Sequence, residues 1–512
     1  MFRVLIEVFS IVFLLIVSLG PSQILGLVKL IADVSFLSAY IRPIPSRFSG
    51  IEREVLASNY SFYRRHYLQA IALDLLLFLP ILGPLLISQI LSPSMPRKVS
   101  ASLPYGIAFC FRDFLKNFLR HQFAYPLNHL SGRKRIPSYE RFVELRSQWS
   151  TRFSARFLKI YVPESSFHPQ RGLDAIVLDP SNGKPKQVVI LFHGNGQTAD
   201  SILLQALCYY ELGICCVLST LGGYPGSQLV RTSETSTYED AVATLAYVQQ
   251  MQPQKIFVHG ISIGGSQAFF LGAYFNEKEE AKFGRLGVCG VVADQTFTKF
   301  SAVICNVTHQ TPIWGLGTLF TSLYEEVFRE HELSLFGRRF RADGLNNEAK
   351  ARKMAEDNVP LLCIASDEDH FMGWDPETQV HPTYSREVFR QNFADGLLEA
   401  RYENDLNVQK QCRIDLSGGH CLELSYGLLV SDEDLDTFFH FMSENSLCDV
   451  PNMAEKYAYR ERLKRSFLDL SKILMPVKYQ QSLWLESENK NLPTKGNTFQ
   501  ASKSSENTIS YQ

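Results

Sequence analysis

Ser262 lies in the run Gly260-Ile261-Ser262-Ile263-Gly264, with the apolar stretch Ile256-Phe257-Val258-His259 before it and the helix-forming stretch Gly265-Ser266-Gln267-Ala268-Phe269-Phe270 after it. A serine on a sharp strand-to-helix bend needs residues without bulk on either side, and Gly260 and Gly264 supply them. Such a bend lifts the hydroxyl above the end of a sheet. It also sets the hydroxyl at a helix N-terminus, whose dipole favours developing negative charge. The expected chemistry is nucleophilic attack by Ser262 on an acyl carbonyl.

A second motif stands upstream. Val188-Val189-Ile190-Leu191-Phe192 reads as a strand and runs into His193-Gly194-Asn195-Gly196. A loop after such a strand supplies one backbone N–H of an oxyanion hole, and the residue after the nucleophile supplies the other. The expected donors are the amides of Asn195 and Ile263, each able to lower the barrier by about 3 kcal/mol. His193, Gly194 and Gly196 shape the loop.

A serine hydroxyl needs a base, and the base needs an orienting acid. The chain order for this arrangement is serine, then acid, then histidine. Pro360 to Ala365 reads as a strand running into Ser366-Asp367-Glu368-Asp369, and Asp369 is the expected acid, with Asp367 and Glu368 as rivals. Ile414-Asp415-Leu416 reads as the last strand, followed by Ser417-Gly418-Gly419-His420. His420, flanked by glycine in a loop, is the expected base. His370 adjoins the acid, His193 belongs to the oxyanion loop and His259 precedes the elbow, so all three fit that role less well.

These residues need a scaffold. Strands are expected near Phe157–Val162, Asp174–Leu178, Gln187–Phe192, Ile214–Leu218, Lys255–His259, Gly287–Ala293, Pro360–Ala365 and Cys412–Leu416. Their unbroken Val/Ile/Leu/Cys runs suit strands buried on both faces of a mostly parallel sheet. Helices are expected at Ala199–Leu212, Thr237–Gln250, Gly264–Tyr274, Tyr384–Phe393 and Glu433–Met442. Alternation of this kind implies a doubly wound α/β fold, with eight strands and helices on both faces.

Composition narrows the function further. The chain has 512 residues, 46% of them hydrophobic, enough for a large core. A net charge of -1 and the absence of a basic, aromatic-interleaved patch argue against nucleic acid. The ten cysteines form no CxxC pair and no zinc-type spacing. Most lie in apolar runs, as buried thiols would in a reducing compartment. No metal and no organic cofactor is expected.

The chain divides into a hydrophobic, membrane-associated helical region over 1–110, a basic helical linker over 111–154, the α/β domain over 155–445, and a charged helix (Met453 to Leu474) with a disordered tail over 446–512. Val8 to Leu19 is almost wholly apolar; Ser18 and Gly20 would allow cleavage as a signal peptide, while Pro21 disfavours it, so residues 4–20 read as an uncleaved anchor or a removed signal. Ala70 to Leu91 is of spanning length but is interrupted by Leu79 to Pro84, which suits a kinked or re-entrant segment. Residues 4–20, 70–91 or both are expected to hold the protein at a membrane. Arginines flank 70–91 on both sides and leave its orientation open.

With the elbow, the HGNG loop and the GGH turn in place, residues 155–445 resemble the α/β-hydrolase superfamily. They are similar in particular to its serine-aminopeptidase-like branch. Gly222-Gly223-Tyr224-Pro225-Gly226-Ser227, Ser233-Glu234 and Tyr238-Glu239-Asp240-Ala241 resemble a segment of that branch, although Pro225 replaces a glycine. Ala365-Ser366 stands where His-Gly is common there. With its N-terminal apolar segments, the chain also resembles the chlamydial CHLPS family of uncharacterised hydrolases.

The expected activity is a membrane-associated serine hydrolase acting on an ester or thioester, with a small-molecule, lipid or acylated substrate. The apolar stretch Phe297 to Phe340 would cap the pocket and suit an acyl chain. Two alternatives are a peptidase of the serine-aminopeptidase-like type, for which Glu325, Glu326 and Glu330 would bind an amine, and a non-catalytic scaffold at a membrane.

Overall fold

The computed structural model describes residues 152–474, apart from 166–167, 169, 182, 225, 228–231, 304–330, 336–337, 367–393, 404, 417–422 and 450, together with isolated helical positions between 30 and 75. Its centre is one eight-stranded sheet, mostly parallel, with helices on both faces. The strands are β1 (Ala155–Val162), β2 (Arg171–Leu178), β3 (Gln187–Phe192), β4 (Cys215–Ser219), β5 (Lys255–Ile261), β6 (Val288–Asp294), β9 (Leu361–Ser366) and β10 (Arg413–Leu416). A separate hairpin pairs β7 (His331–Leu335) with β8 (Arg338–Ala342). The large sheet has the order β1-β2-β4-β3-β5-β6-β9-β10. Only β2 runs against its neighbours β1 and β4, and the pairs from β4 to β10 are all parallel.

All eight strands expected from the apolar runs are present, with ends shifted by a few residues. Alternate residues serve opposite faces. In β3, Val188, Ile190 and Phe192 join one core layer, while Val189 and Leu191 join the other. Both faces are buried, and for that reason the runs read as continuously apolar rather than alternating.

The helices are α1 (Leu203–Tyr210), α2 (Glu234–Gln250), α3 (Gly264–Tyr274), α4 (Glu277–Ala281), α5 (Asn347–Glu356), α6 (Ala394–Tyr402), α7 (Leu406–Gln411), α8 (Leu424–Val430), α9 (Asp432–Glu444) and α10 (Met453–Leu474). Apolar residues of α2, α3, α5 and α6 lie in one layer, and those of α1, α8, α9 and α10 in the other. The expected helix 199–212 begins instead as a 3-10 turn over Ala199–Ile202 before α1. Helix α2 starts three residues early, because the Ser233 hydroxyl caps the Ser236 amide at 3.1 Å. The β7–β8 hairpin, α8 and the helices between β8 and β10 were not anticipated; their short or mixed patterns carry little periodic signal. The helix expected at 384–393 lies outside the described residues.

Helix α10 matches the charged helix expected after the domain, and it packs on that domain. Tyr459, Leu463, Phe467 and Leu470 recur on one face and are buried with α1 and α8. The Tyr459 hydroxyl donates to the Cys208 carbonyl at 3.0 Å. Among the described residues no helix is long and apolar enough to cross a membrane. The expected anchors over 4–20 and 70–91 lie outside the described residues, save isolated positions in the second.

Candidate active site

Ser262 stands on the turn between β5 and α3 with a φ of 52°, a left-handed conformation that a serine adopts only under constraint. Three contacts impose it. The Ser262 amide donates to the Asp294 carbonyl at the end of β6, at 2.8 Å. The Ser262 carbonyl accepts from the Thr296 hydroxyl at 2.6 Å and from the Gly265 amide at 3.0 Å. The flanking glycines answer to the same crowding. A Cβ on Gly260 would lie 2.3 Å from the Gly264 carbonyl oxygen, and a Cβ on Gly264 would lie 2.4 Å from that of Phe192. No other residue fits either place, so the GxSxG pattern is here a record of close backbone approach.

The loop after β3 packs directly on Ser262. A Cβ on Gly194 would come within 3.3 Å of the Ser262 Cβ and 2.8 Å of the Gln197 Oε1. Gln197 shapes the loop by accepting from the Gly194 amide at 2.8 Å. His193 fixes its base: Nε2 accepts from the Leu221 amide at 3.0 Å, so Nδ1 carries the proton and donates to the Gly194 carbonyl at 2.8 Å. His193 is wholly buried, and that burial holds its pKa down at about 4. It is therefore a neutral strut.

Of the two expected oxyanion donors, Ile263 is the residue on which α3 opens, directly after Ser262. Its amide makes no hydrogen bond within the described residues. Asn195 lies on the facing loop, and its Oδ1 accepts from the Tyr224 hydroxyl at 2.9 Å. Tyr224 is fully buried and meets the His193 ring edge-on at 4.7 Å. Ser262 and Ile263 therefore lie on a turn packed against the loop of His193, Gly194 and Asn195.

The acid and base do not fall within view. Asp369, its rivals Asp367 and Glu368, and His420 all lie outside the described residues, and so does most of the expected cap over Phe297 to Phe340, including Glu325, Glu326 and Glu330. Their strands are described. Strand β9 ends at Ser366, next to Asp367, and β10 ends at Leu416, four residues before His420. The two strands pair in parallel, with Leu416 opposite Ser366.

Sequence reasoning passed over a polar layer beneath the elbow. His259 and Asp294 are both fully buried, with Nε2 of the imidazole 3.1 Å from Asp294 Oδ2. The Tyr209 hydroxyl lies 3.0 Å from His259 Nδ1. Gln205 Nε2 donates to Asp294 Oδ2 at 3.0 Å, and Gln295 Nε2 donates to Oδ1 at 3.2 Å. The signal available was an ionisable residue in each of two adjacent apolar strands. Among the described residues no group of three or more His, Cys, Asp or Glu could hold a metal ion. The seven described cysteines are free thiols, four of them buried.

No family model matches the chain, and no curated protein does. Solved structures are similar to it at low identity. An alpha-beta hydrolase from Vibrio vulnificus is 16% identical, over 65% of this chain and 92% of that one, with a TM-score of 0.38. An esterase from Pyrococcus furiosus is 12% identical, over 58% of this chain and 92% of that one, with a TM-score of 0.36. A hyperthermophilic esterase from Pyrobaculum calidifontis is 13% identical, over 63% of this chain and 96% of that one, with a TM-score of 0.33.

Proposed function

We propose that the protein is a serine hydrolase that cleaves a carboxylic ester or thioester through an acyl-enzyme. The observation that carries this reading is the constrained Ser262, at φ 52° on the turn into α3, packed against the Gly194 loop. A serine held so serves no evident structural end, since its strain must be offset by three contacts around it.

In this reading His420 takes the Ser262 proton as Oγ bonds to the substrate carbonyl carbon. Asp369 holds the imidazole tautomer and stabilises its cation, and Asp367 is the rival for that role. The Asn195 and Ile263 amides bind the oxyanion. Collapse of the tetrahedral intermediate expels the alcohol or thiol, which takes the proton from His420. Water, deprotonated by the same histidine, then releases the acid. The substrate is a small acyl ester, a lipid or an acylated protein. Residues 4–20, 70–91 or both would hold the enzyme at the membrane where such acyl groups reside.

The test is a fluorophosphonate probe on the full-length protein in membranes, comparing wild type with Ser262→Ala and His420→Ala. Labelling of wild type alone is expected. A folded wild-type protein that takes no label would overturn the hydrolase reading and leave a non-catalytic scaffold.

A further inference from the structure

Among the described residues, one side chain connects the buried polar layer under the elbow to the start of α8, just after the segment that carries His420. Gln205, on α1 and 3% exposed, donates through Nε2 to Asp294 Oδ2 and accepts through Oε1 from the Leu424 amide at 2.5 Å. Asp294 is the residue whose carbonyl holds the Ser262 amide. Leu424 opens α8, four residues after His420. One helical turn along α1, the Cys208 amide also donates to the Ser425 hydroxyl, at 3.1 Å.

We infer that Gln205 is a positioning residue that sets the reach of the catalytic histidine, by tying the start of α8 to the strand end that supports the nucleophile. The inference rests on the hydrolase reading, with His420 as base. Only seven residues, 417–423, separate β10 from α8, and this stretch is flanked on both sides by described residues that are held in place. Its upstream end is Leu416, paired with Ser366 of β9, and its downstream end is Leu424, bonded to Gln205. Ser262 and the two flanking residues, Leu416 and Leu424, are then joined through one hydrogen-bonded frame.

The chemistry of the layer favours this role over simple packing. A carboxylate, an imidazole, a phenol and two carboxamides are costly to bury, and apolar residues of similar volume would pack the same space at lower cost. What they provide is direction. Asp294 accepts on both oxygens, so His259 must donate from Nε2, with the Tyr209 hydroxyl 3.0 Å from its Nδ1. With the carboxylate so engaged, the Gln205 carboxamide has one orientation in which both its ends are satisfied, and that orientation presents Oε1 to Leu424.

The experiment measures hydrolysis of a p-nitrophenyl acyl ester by the full-length chain, with thermal melts alongside. Gln205→Met keeps the volume and removes both hydrogen bonds. It is expected to lower kcat by about 100-fold with KM nearly unchanged, the result of a misplaced catalytic group. Gln205→Glu sets two carboxylates together and Asp294→Asn removes an acceptor, so each alone is expected to lower kcat as well. The double variant Gln205→Glu/Asp294→Asn swaps the two ends of the bridge. The carboxamide introduced on β6 would donate to the carboxylate introduced on α1, which still accepts from the Leu424 amide. His259 can turn its tautomer to accept from the new carboxamide. The swap is expected to regain most of the lost kcat. Wild-type kcat in a folded Gln205→Met, or a swap no better than either single change, would overturn the bridge. If Gln205→Met does not fold, the swap decides alone. A wild-type chain that neither hydrolyses ester nor takes the fluorophosphonate would instead overturn the hydrolase reading, and this inference with it.

Discussion

The Tyr224 hydroxyl donates to the Asn195 Oδ1 at 2.9 Å, and the same ring lies edge-on to His193. A residue from the glycine-rich turn after β4 thereby braces the loop expected to bind the oxyanion. Tyr224→Phe keeps the ring packing and removes only the hydrogen bond. It should lower kcat for an acyl ester by about ten-fold, because an oxyanion donor left loose is worth less in the transition state, while KM changes little. Steady-state kinetics beside a thermal melt check this; a loss confined to stability would remove Tyr224 from the site.

Gly264 carries the tightest constraint between the elbow and β3. An added methyl group would meet the Phe192 carbonyl oxygen at 2.4 Å and that of His193 at 2.7 Å. Gly264→Ala must therefore push the start of α3 away from the end of β3 and the loop after it. A destabilisation of about 1–3 kcal/mol is expected. In the protein that still folds, fluorophosphonate labelling of Ser262 should slow by about 100-fold. Denaturant titration and labelling rates measure the two effects separately.

His193 makes stability depend on pH. Its folded pKa is held at about 4 by burial, below the ordinary 6.5, so between these values the unfolded chain binds the extra proton. Stability from this group is complete above pH 6.5 and is lost as pH falls toward 4, by about 3 kcal/mol in all. His193→Gln should be less stable at pH 7 but show a flatter decline from pH 6.5 to 4. Equal slopes in the two proteins would mean that His193 does not remain neutral.

The acid of the proposed triad can be assigned by kinetics. Asp369→Asn should lower kcat by about 10,000-fold through the wrong imidazole tautomer, with labelling slowed in parallel, while Asp367→Asn should stay near wild type. The reverse result would move the role to Asp367 and keep the mechanism.

Much of this architecture is legible in the residues alone, for physical reasons. Strands buried on both faces must be apolar throughout, so β3, β5, β6 and β9 announce themselves as unbroken runs. The elbow is legible because Gly260 and Gly264 are each pressed against a backbone carbonyl, a demand that only glycine meets. The glycine-rich loop after β3 is legible because Gly194 must lie against Ser262. These are local constraints, satisfied within a few residues of chain or between a strand end and its neighbour, and they leave a mark at fixed spacing.

Other features were decided only by the tertiary structure. Tyr224 reaches Asn195, and Gln205 joins Asp294 to Leu424, across separations that no periodic pattern encodes. His259 gains its partners only in the fold: β6 brings Asp294 to its Nε2 and α1 brings Tyr209 to its Nδ1. The packing of α10 on α1 and α8 followed from the same cause: the helix shows an apolar stripe, but which surface receives it depends on where the sheet leaves a core uncovered. Sequence by itself determined the strands and the glycine-flanked turn that carries Ser262, because those constraints are local; the fold decided which buried polar groups surround that turn, because a hydrogen bond between distant segments exists only once both have been packed.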